Sequence, residues 1–244
     1  MGAGHVPVAW PALDFKIGDE GDMTMIATRW KDRQTMPQEQ EICCFWGGDA
    51  INYLEALSLA SFVAAGHPVT LYAYHPSGPT PKGVIVKDAA DILPQDAAPA
   101  SLLADLFRYH CLAQRPGVIW VAPDFVLMQP LRTEDGRLLA EQGGGYLSPD
   151  VLALPPDSMA LRTILAFIAE TRPIPPWATP EEQAQLAAMK DPAGAEDLGS
   201  GVWGAKALTH FAKKSGEAEN ALPKTAFYPL AYADRAILLT RKEK

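Results

Sequence analysis

The sequence predicts an α/β protein, and three observations lead there. Ile42-Cys43-Cys44-Phe45-Trp46 is a continuous apolar run ended by Gly47-Gly48, which is how a strand buried on both faces reads. A helical stretch over residues 50–65, then Gly66 and a β-rich segment over 69–74, complete the order strand, glycine turn, helix, glycine, strand. Such a βαβ unit is normally right-handed and parallel. A second helix–strand pair, residues 100–113 and 118–121, repeats the pattern.

Local chemistry justifies the elements in turn. Asp49 is placed to cap the first helix, whose polar strip carries Asn52, Glu55 and Ser58, and Gly66 stands where a helix-ending glycine belongs. Residues 69–74 alternate as a strand does. Pro76, Pro79 and Pro81 make a loop, residues 83–86 form a short strand, and Asp88 caps a single turn that Pro94 closes. Leu102, Leu103, Leu106, Phe107 and Leu112 keep helical spacing along 100–113. Pro116-Gly117 ends that helix, and residues 125–127 continue extended after a Pro123-Asp124 turn.

Gly143-Gly144-Gly145 reads as a hinge or a close-approach loop, followed by a strand at 151–154. Pro155-Pro156-Asp157-Ser158 opens a helix that runs to Glu170. Further helices are expected over 181–189 and 203–214, a polar loop over 190–201, and a last strand over 236–239. Residues 1–40, broken by Pro7, Pro11, Gly18, Gly21 and Pro37, read as an N-terminal extension or arm with one strand candidate at 23–28. Residues 41–244 read as a single domain.

Composition narrows the function. The chain of 244 residues is 48% hydrophobic with a net charge of -8, enough apolar content for a large core. Its 21 basic residues form no run, which argues against a nucleic-acid partner. No apolar stretch reaches ~18 residues, so no transmembrane segment is expected. The N-terminus has no basic-then-apolar leader, so the expected location is cytoplasmic. Cys43, Cys44 and Cys111 are odd in number and lie in apolar runs, as buried reduced thiols do.

Three residues could carry chemistry. Asp105 and Arg108 stand i, i+3 on a helix, where the bland reading is a surface ion pair. Leu106, Phe107 and Tyr109 leave that helix little solvated face. A charged pair on a buried helix needs partners, and a ligand is one candidate. Asp124 follows a strand and a proline. It is either a turn residue or a metal-binding or ligand-binding carboxylate at the carboxyl edge of the sheet, where open α/β sheets bind ligands. His5, His67, His75, His110 and His210 show no metal-ligand spacing. Gly47-Gly48 lacks the P-loop lysine and the three-glycine dinucleotide pattern.

Taken together, several segments resemble a known family. They are Phe45-Trp46-Gly47-Gly48, the helix through Leu54-Glu55 to Ser61-Phe62, Leu71-Tyr72-Ala73-Tyr74, and Asp105-Leu106-Phe107-Arg108-Tyr109. The strand running from Gly117 to Pro130, Trp203-Gly204-Ala205-Lys206-Ala207-Leu208-Thr209 and Phe227-Tyr228-Pro229 belong to the same set. The chain resembles small bacterial DXD-type sugar transferases, the GT-A glycosyltransferases grouped with α-1,4-glycosyltransferases and related mannosyltransferases, over residues 42–240.

The resemblance implies a GT-A fold: a Rossmann-like mixed sheet with helices on both faces. It implies a nucleotide-diphosphate sugar donor such as a UDP-sugar, manganese or magnesium, a glycan or glycolipid acceptor, and transfer with retention. Trp46 would lie against the nucleotide base, with Gly47 and Gly48 beside it. Asp105, Arg108 and Tyr109 would line the donor's sugar and diphosphate, and Asp124 would ligate the metal. The chain also departs from the family. Ala122 stands where the first DXD aspartate belongs, Ala104 where a serine is usual, Asp49 where a proline is common, and Asp150 near an expected asparagine. Loss of the first carboxylate implies either weaker metal binding or a non-catalytic GT-A domain kept as a binding or structural module. An α/β enzyme binding a dinucleotide or ATP is the third reading.

Overall fold

The structure, a computed structural model, describes residues 39–75, 78–133, 135–170, 174–189, 194–199, 201–230 and 233. The expected strands at 23–28 and 236–239, and nearly all of the expected arm, lie outside the described residues. The rest builds an α/β architecture around a five-stranded mixed sheet of order β3-β2-β1-β4-β7. Here β1 is Ile42–Trp46, β2 Val69–Ala73, β3 Val84–Asp88, β4 Ile119–Val121 and β7 Val151–Leu152. The first four pair in parallel, and β7 joins β4 antiparallel with Trp120 opposite Leu152 and Val121 opposite Val151. Ala122 N donates to Asp150 O at 2.7 Å, which extends that pairing one residue further.

Both faces of the sheet are covered, as the unbroken apolar run of β1 requires. Cys43, Phe45, Tyr72, Trp120 and Leu152 face one core with helix α2 (Ala100–Gln114). Helices α3 (Met159–Ile168) and α5 (Ala205–Ser215) also pack into it. Ile42, Cys44, Val69, Leu71, Ile119 and Val121 face the other core with helix α1 (Tyr53–Ala64). All five residues of β2 are buried, so its expected alternation is absent because both faces are core. Cys43, Cys44 and Cys111 are buried free thiols, as composition suggested.

Other expectations change at the level of caps and turns. Asn52, not Asp49, caps α1: its side chain accepts from Leu54 N, and Glu55 reaches back to Asn52 N. Two donors satisfied reciprocally outweigh a single early cap. Ser58 is 1% exposed rather than solvated. Its hydroxyl donates to the Phe125 carbonyl, Ser61 Oγ accepts from Leu127 N at 2.9 Å, and His67 Nε2 accepts from Leu131 N at 3.0 Å. Side chains of α1 and its exit turn therefore hold residues 125–131, which form no strand.

Gly143-Gly144-Gly145 is the turn of a two-stranded hairpin, β5 (Glu141–Gly143) with β6 (Tyr146–Leu147), rather than a hinge. All three have positive φ, at 114°, 64° and 79°, which glycine alone adopts without a steric penalty. Helix α4 (Pro180–Ala188) begins with a Thr179–Glu182 capping box, and α5 starts at Ala205, two residues later than expected.

Candidate functional site

Helix α2 places Asp105 and Arg108 against the sheet. Asp105 Oδ1 accepts from Arg108 Nη2 at 3.0 Å, and the side chains are 14% and 6% exposed. That burial removes the surface-pair reading, since exposed pairs keep their hydration and contribute little. The guanidinium Cζ lies 5.6 Å from the ring centroids of both Trp120 and Tyr109, within cation–π range. Arg108 Nε and Nη1 are buried with no hydrogen-bond partner among the described residues. Trp120 Nε1, on the ring beneath, is unpartnered in the same way. Buried donors are nearly always satisfied in folded proteins, and these three meet no acceptor among the described residues.

Tyr109 turns inward. It is fully buried and its hydroxyl donates to the Trp203 carbonyl at 2.7 Å. Burial pushes its phenol up to about 12, with Arg108 pulling the other way and Asp105 adding to the rise. Trp177 Nε1 donates to the neighbouring Val202 carbonyl at 2.9 Å. The segment 201–204 is thus held by two aromatic donors.

Asp124 stands three residues past β4, at the carboxyl edge of the parallel strands. Loss of hydration raises its carboxyl pKa, the Asp150 carboxylate raises it further, its own backbone N–H opposes, and Glu55 adds a smaller push. Asp150 is itself held in place. Tyr228 OH donates to Asp150 Oδ2 at 3.0 Å, Ser148 Oγ lies 2.7 Å from the same phenol oxygen, and Asp150 N donates to Ser148 Oγ at 3.2 Å. The Tyr228 ring meets Phe125 edge-on at 5.7 Å. The C-terminal segment therefore closes over the strand end that carries Asp124.

Trp46 ends β1 and lines a cavity of about 370 Å³ at the carboxyl ends of β1, β2 and β3, with Ala73, Thr80, Lys87 and Asp88. Its Nε1 has no partner among the described residues. A Cβ on Gly48 would come within 3.0 Å of the indole and one on Gly47 within 3.3 Å of the Phe45 ring. The pair therefore serves close approach, with neither residue at positive φ.

The predicted residues thus fall into three groups. Asp105 and Arg108 pair under α2, Asp124 sits with Asp150, and Trp46 lies with Gly48 at the cavity mouth. No hydrogen bond or ion pair among the described residues joins the groups to one another. Sequence reasoning singled out Asp150 only as a departure from the family pattern and gave no role to Ser148, to Tyr228 or to the indole of Trp120. Phe227-Tyr228-Pro229 did signal the Tyr228 segment, whereas Trp120 reads only as a buried strand residue. Among the described residues, no three acidic, histidine or cysteine side chains gather as a metal cage.

No protein-family model and no curated protein matches the chain. A solved structure of the PaToxG glycosyltransferase is similar at 12% identity, over 91% of this chain and 86% of that one, with a TM-score of 0.46. A likeness of that degree carries no argument, and the fold rests on the strand order and core described above.

Proposed function

We propose that the chain is a GT-A glycosyltransferase that moves a hexose from a nucleotide-diphosphate sugar, a UDP-sugar first, to a glycan or glycolipid acceptor with retention. One observation carries the reading: a buried Arg108, paired to Asp105, keeps two unsatisfied N–H groups on the helix beside the strand that leads to Asp124. Donors held in place in a dry site stabilise charge that develops on a leaving group, because they need no reorganisation at the moment of reaction. Arg108 and Asp105 orient the donor's sugar, and Trp46 covers the nucleotide base at the cavity mouth. The donor phosphate assists the incoming hydroxyl, so no protein nucleophile is needed. Acceptor choice is assigned to residues 143–201.

A manganese or magnesium ion fits the residues at the strand end. Asp124 and the adjacent Asp150 offer two carboxylates, and among the described residues no third acidic, histidine or cysteine side chain gathers with them as a metal cage. That suits a hard cation which takes its remaining oxygens from water and a diphosphate. Asp124 would hold the ion, with Asp150 beside it, and Tyr228 and Ser148 keep Asp150 oriented. When bound, the cation supplies charge neutralisation at the diphosphate.

Calorimetric titration of the full chain with UDP and with UDP-sugars, with and without manganese, tests the reading. Metal-dependent binding of a UDP-sugar is expected. Absence of binding with every metal and sugar would end it. Ala122 favours one second reading, a GT-A domain that binds sugar nucleotide without turning it over. Metal-dependent transfer by the unaltered chain would exclude that alternative.

A further inference from the structure

Antiparallel pairing of β4 with β7 sets Trp120 opposite Leu152 and Val121 opposite Val151. The next pair in that register is Ala122 opposite Asp150, and the bond from Ala122 N to Asp150 O at 2.7 Å carries the register that far. Residues directly opposite in an antiparallel pair present their side chains on one face, with Cβ atoms about 5 Å apart. The Asp150 carboxylate therefore stands on the face that residue 122 also supplies, and residue 122 supplies only a methyl group.

Asp124 belongs to the same strand end. Its turn is closed by Phe125 N donating to Ala122 O at 3.3 Å. Tyr228 ties the two places together. Its ring meets that of Phe125, the neighbour of Asp124, at 5.7 Å, and its hydroxyl donates to Asp150 Oδ2 at 3.0 Å. Asp150 Oδ1 meets no donor among the described residues. Asp124 is exposed and Asp150 half-buried, so both keep accessible surface. Neither forms an ion pair among the described residues. Neighbouring carboxylates without a basic partner repel, and a divalent cation shared between them removes that repulsion. The Tyr228 hydrogen bond alone does not account for an aspartate at 150. An asparagine carbonyl would accept from the phenol as well and would bring no charge to be compensated.

We propose that Asp150 is a metal-ligating residue that supplies from β7 the carboxylate which Ala122 does not supply from β4. Tyr228 is its positioning residue, because hydrogen bonds to a ligating carboxylate fix its orientation toward the ion. The inference rests on the donor reading given above and makes the ion depend on β7 and on the segment that carries Tyr228.

The test measures manganese binding to the full chain in the presence of UDP, read by the spin resonance of the free ion. Melting without metal serves as the control for folding. Asp150→Asn keeps an acceptor for Tyr228, so its metal-free Tm should not fall, while its manganese affinity drops. Tyr228→Phe should weaken manganese about tenfold, the effect of losing an outer hydrogen bond on a ligand, and Asp150→Asn should weaken it more. Ala122→Asp combined with Asp150→Asn moves the carboxylate back across the strand pair and should recover most of what Asp150→Asn loses. A merely structural Asp150 would lower the metal-free Tm of Asp150→Asn and leave manganese affinity unchanged. That result overturns the assignment while the donor reading stands. A combined variant that binds manganese no better than Asp150→Asn overturns the exchange of carboxylate between the two strands. Binding of UDP without any binding of manganese overturns the assignment alone. Failure of UDP and of every UDP-sugar to bind overturns the donor reading and this assignment with it.

Discussion

At the scale of single residues, Arg108 and Asp105 matter because neither can be removed alone. Taking away the carboxylate leaves a buried guanidinium without its counter-charge. Breaking such a pair from one side typically costs about 3–5 kcal/mol. Asp105→Ala should therefore lower unfolding free energy by about that amount in a urea titration. Replacing both residues by apolar groups should cost less than Asp105→Ala does. A surface pair would lose under about 1 kcal/mol on the same test, so the two situations are easily told apart.

Ala122 is the other informative residue. It lies opposite Asp150, one residue beyond the last paired position of β4 and β7. Ala122→Asp places a third carboxylate near Asp124 and Asp150. Manganese affinity in the presence of UDP should rise, read by calorimetry or by loss of free-ion spin resonance. Unchanged affinity would show that position 122 does not face the ion.

At the scale of elements, α1 works as a support for Asp124. Ser58 donates to the carbonyl of Phe125, the residue after Asp124, and Ser61 holds Leu127. Ser58→Ala leaves a buried carbonyl unmatched and should cost about 1–3 kcal/mol. It should also weaken metal-dependent nucleotide binding, while Asn52→Ala at the exposed cap of the same helix should cost only about 1 kcal/mol. Comparing the two variants by melting and by titration separates helix stability from support of the loop.

Glu217 makes an element-level prediction about pH. Burial alone would raise its carboxyl, but hydrogen bonds from Ala160 N–H, Ser215 and Ser158, and the Arg137 guanidinium, hold it below its ordinary value of 4.5. A carboxyl whose folded value is depressed contributes stability that is complete above the unfolded value and is lost as pH falls through the folded one. The junction of α3 and α5 should therefore weaken below pH 4.5. Glu217→Gln should flatten the fall of Tm between pH 7 and pH 3; an unchanged acid slope would contradict the role.

Particular residues show where the sequence was legible. Strands β1, β2 and β4 and helix α2 announce themselves through unbroken apolar runs and 3.6-residue spacing, both local properties. Asp105 and Arg108 are visible as an i, i+3 pair on a helix without a polar face. Their unmatched N–H groups are not visible, because satisfaction depends on residues far along the chain. Asp49 misled because capping is decided by which side chain also receives a reciprocal partner, here Asn52 with Glu55. Asp150 is legible only as a departure from the family pattern because its role comes from strand register: the β4–β7 pairing sets it beside the end of β4, and Tyr228, 78 residues away, orients it together with Ser148.

At the scale of the whole molecule, the sheet order places three parallel strand ends, the Trp46 cavity and Asp124 along one carboxyl edge, where α/β sheets bind ligands. Arg108 faces the α2 side of the sheet and Trp46 the α1 side, so a single ligand must pass over that edge to use both. Among the described residues, no helix is long and apolar enough to cross a membrane. A crystal of the full chain grown with manganese and a non-hydrolysable UDP-hexose tests this most directly, with the ion located by its anomalous signal. The donor-site assignment predicts the ion on Asp124, the uracil against Trp46 and the hexose beside Asp105 and Arg108. A nucleotide seated elsewhere, or an ion away from Asp124, would contradict it.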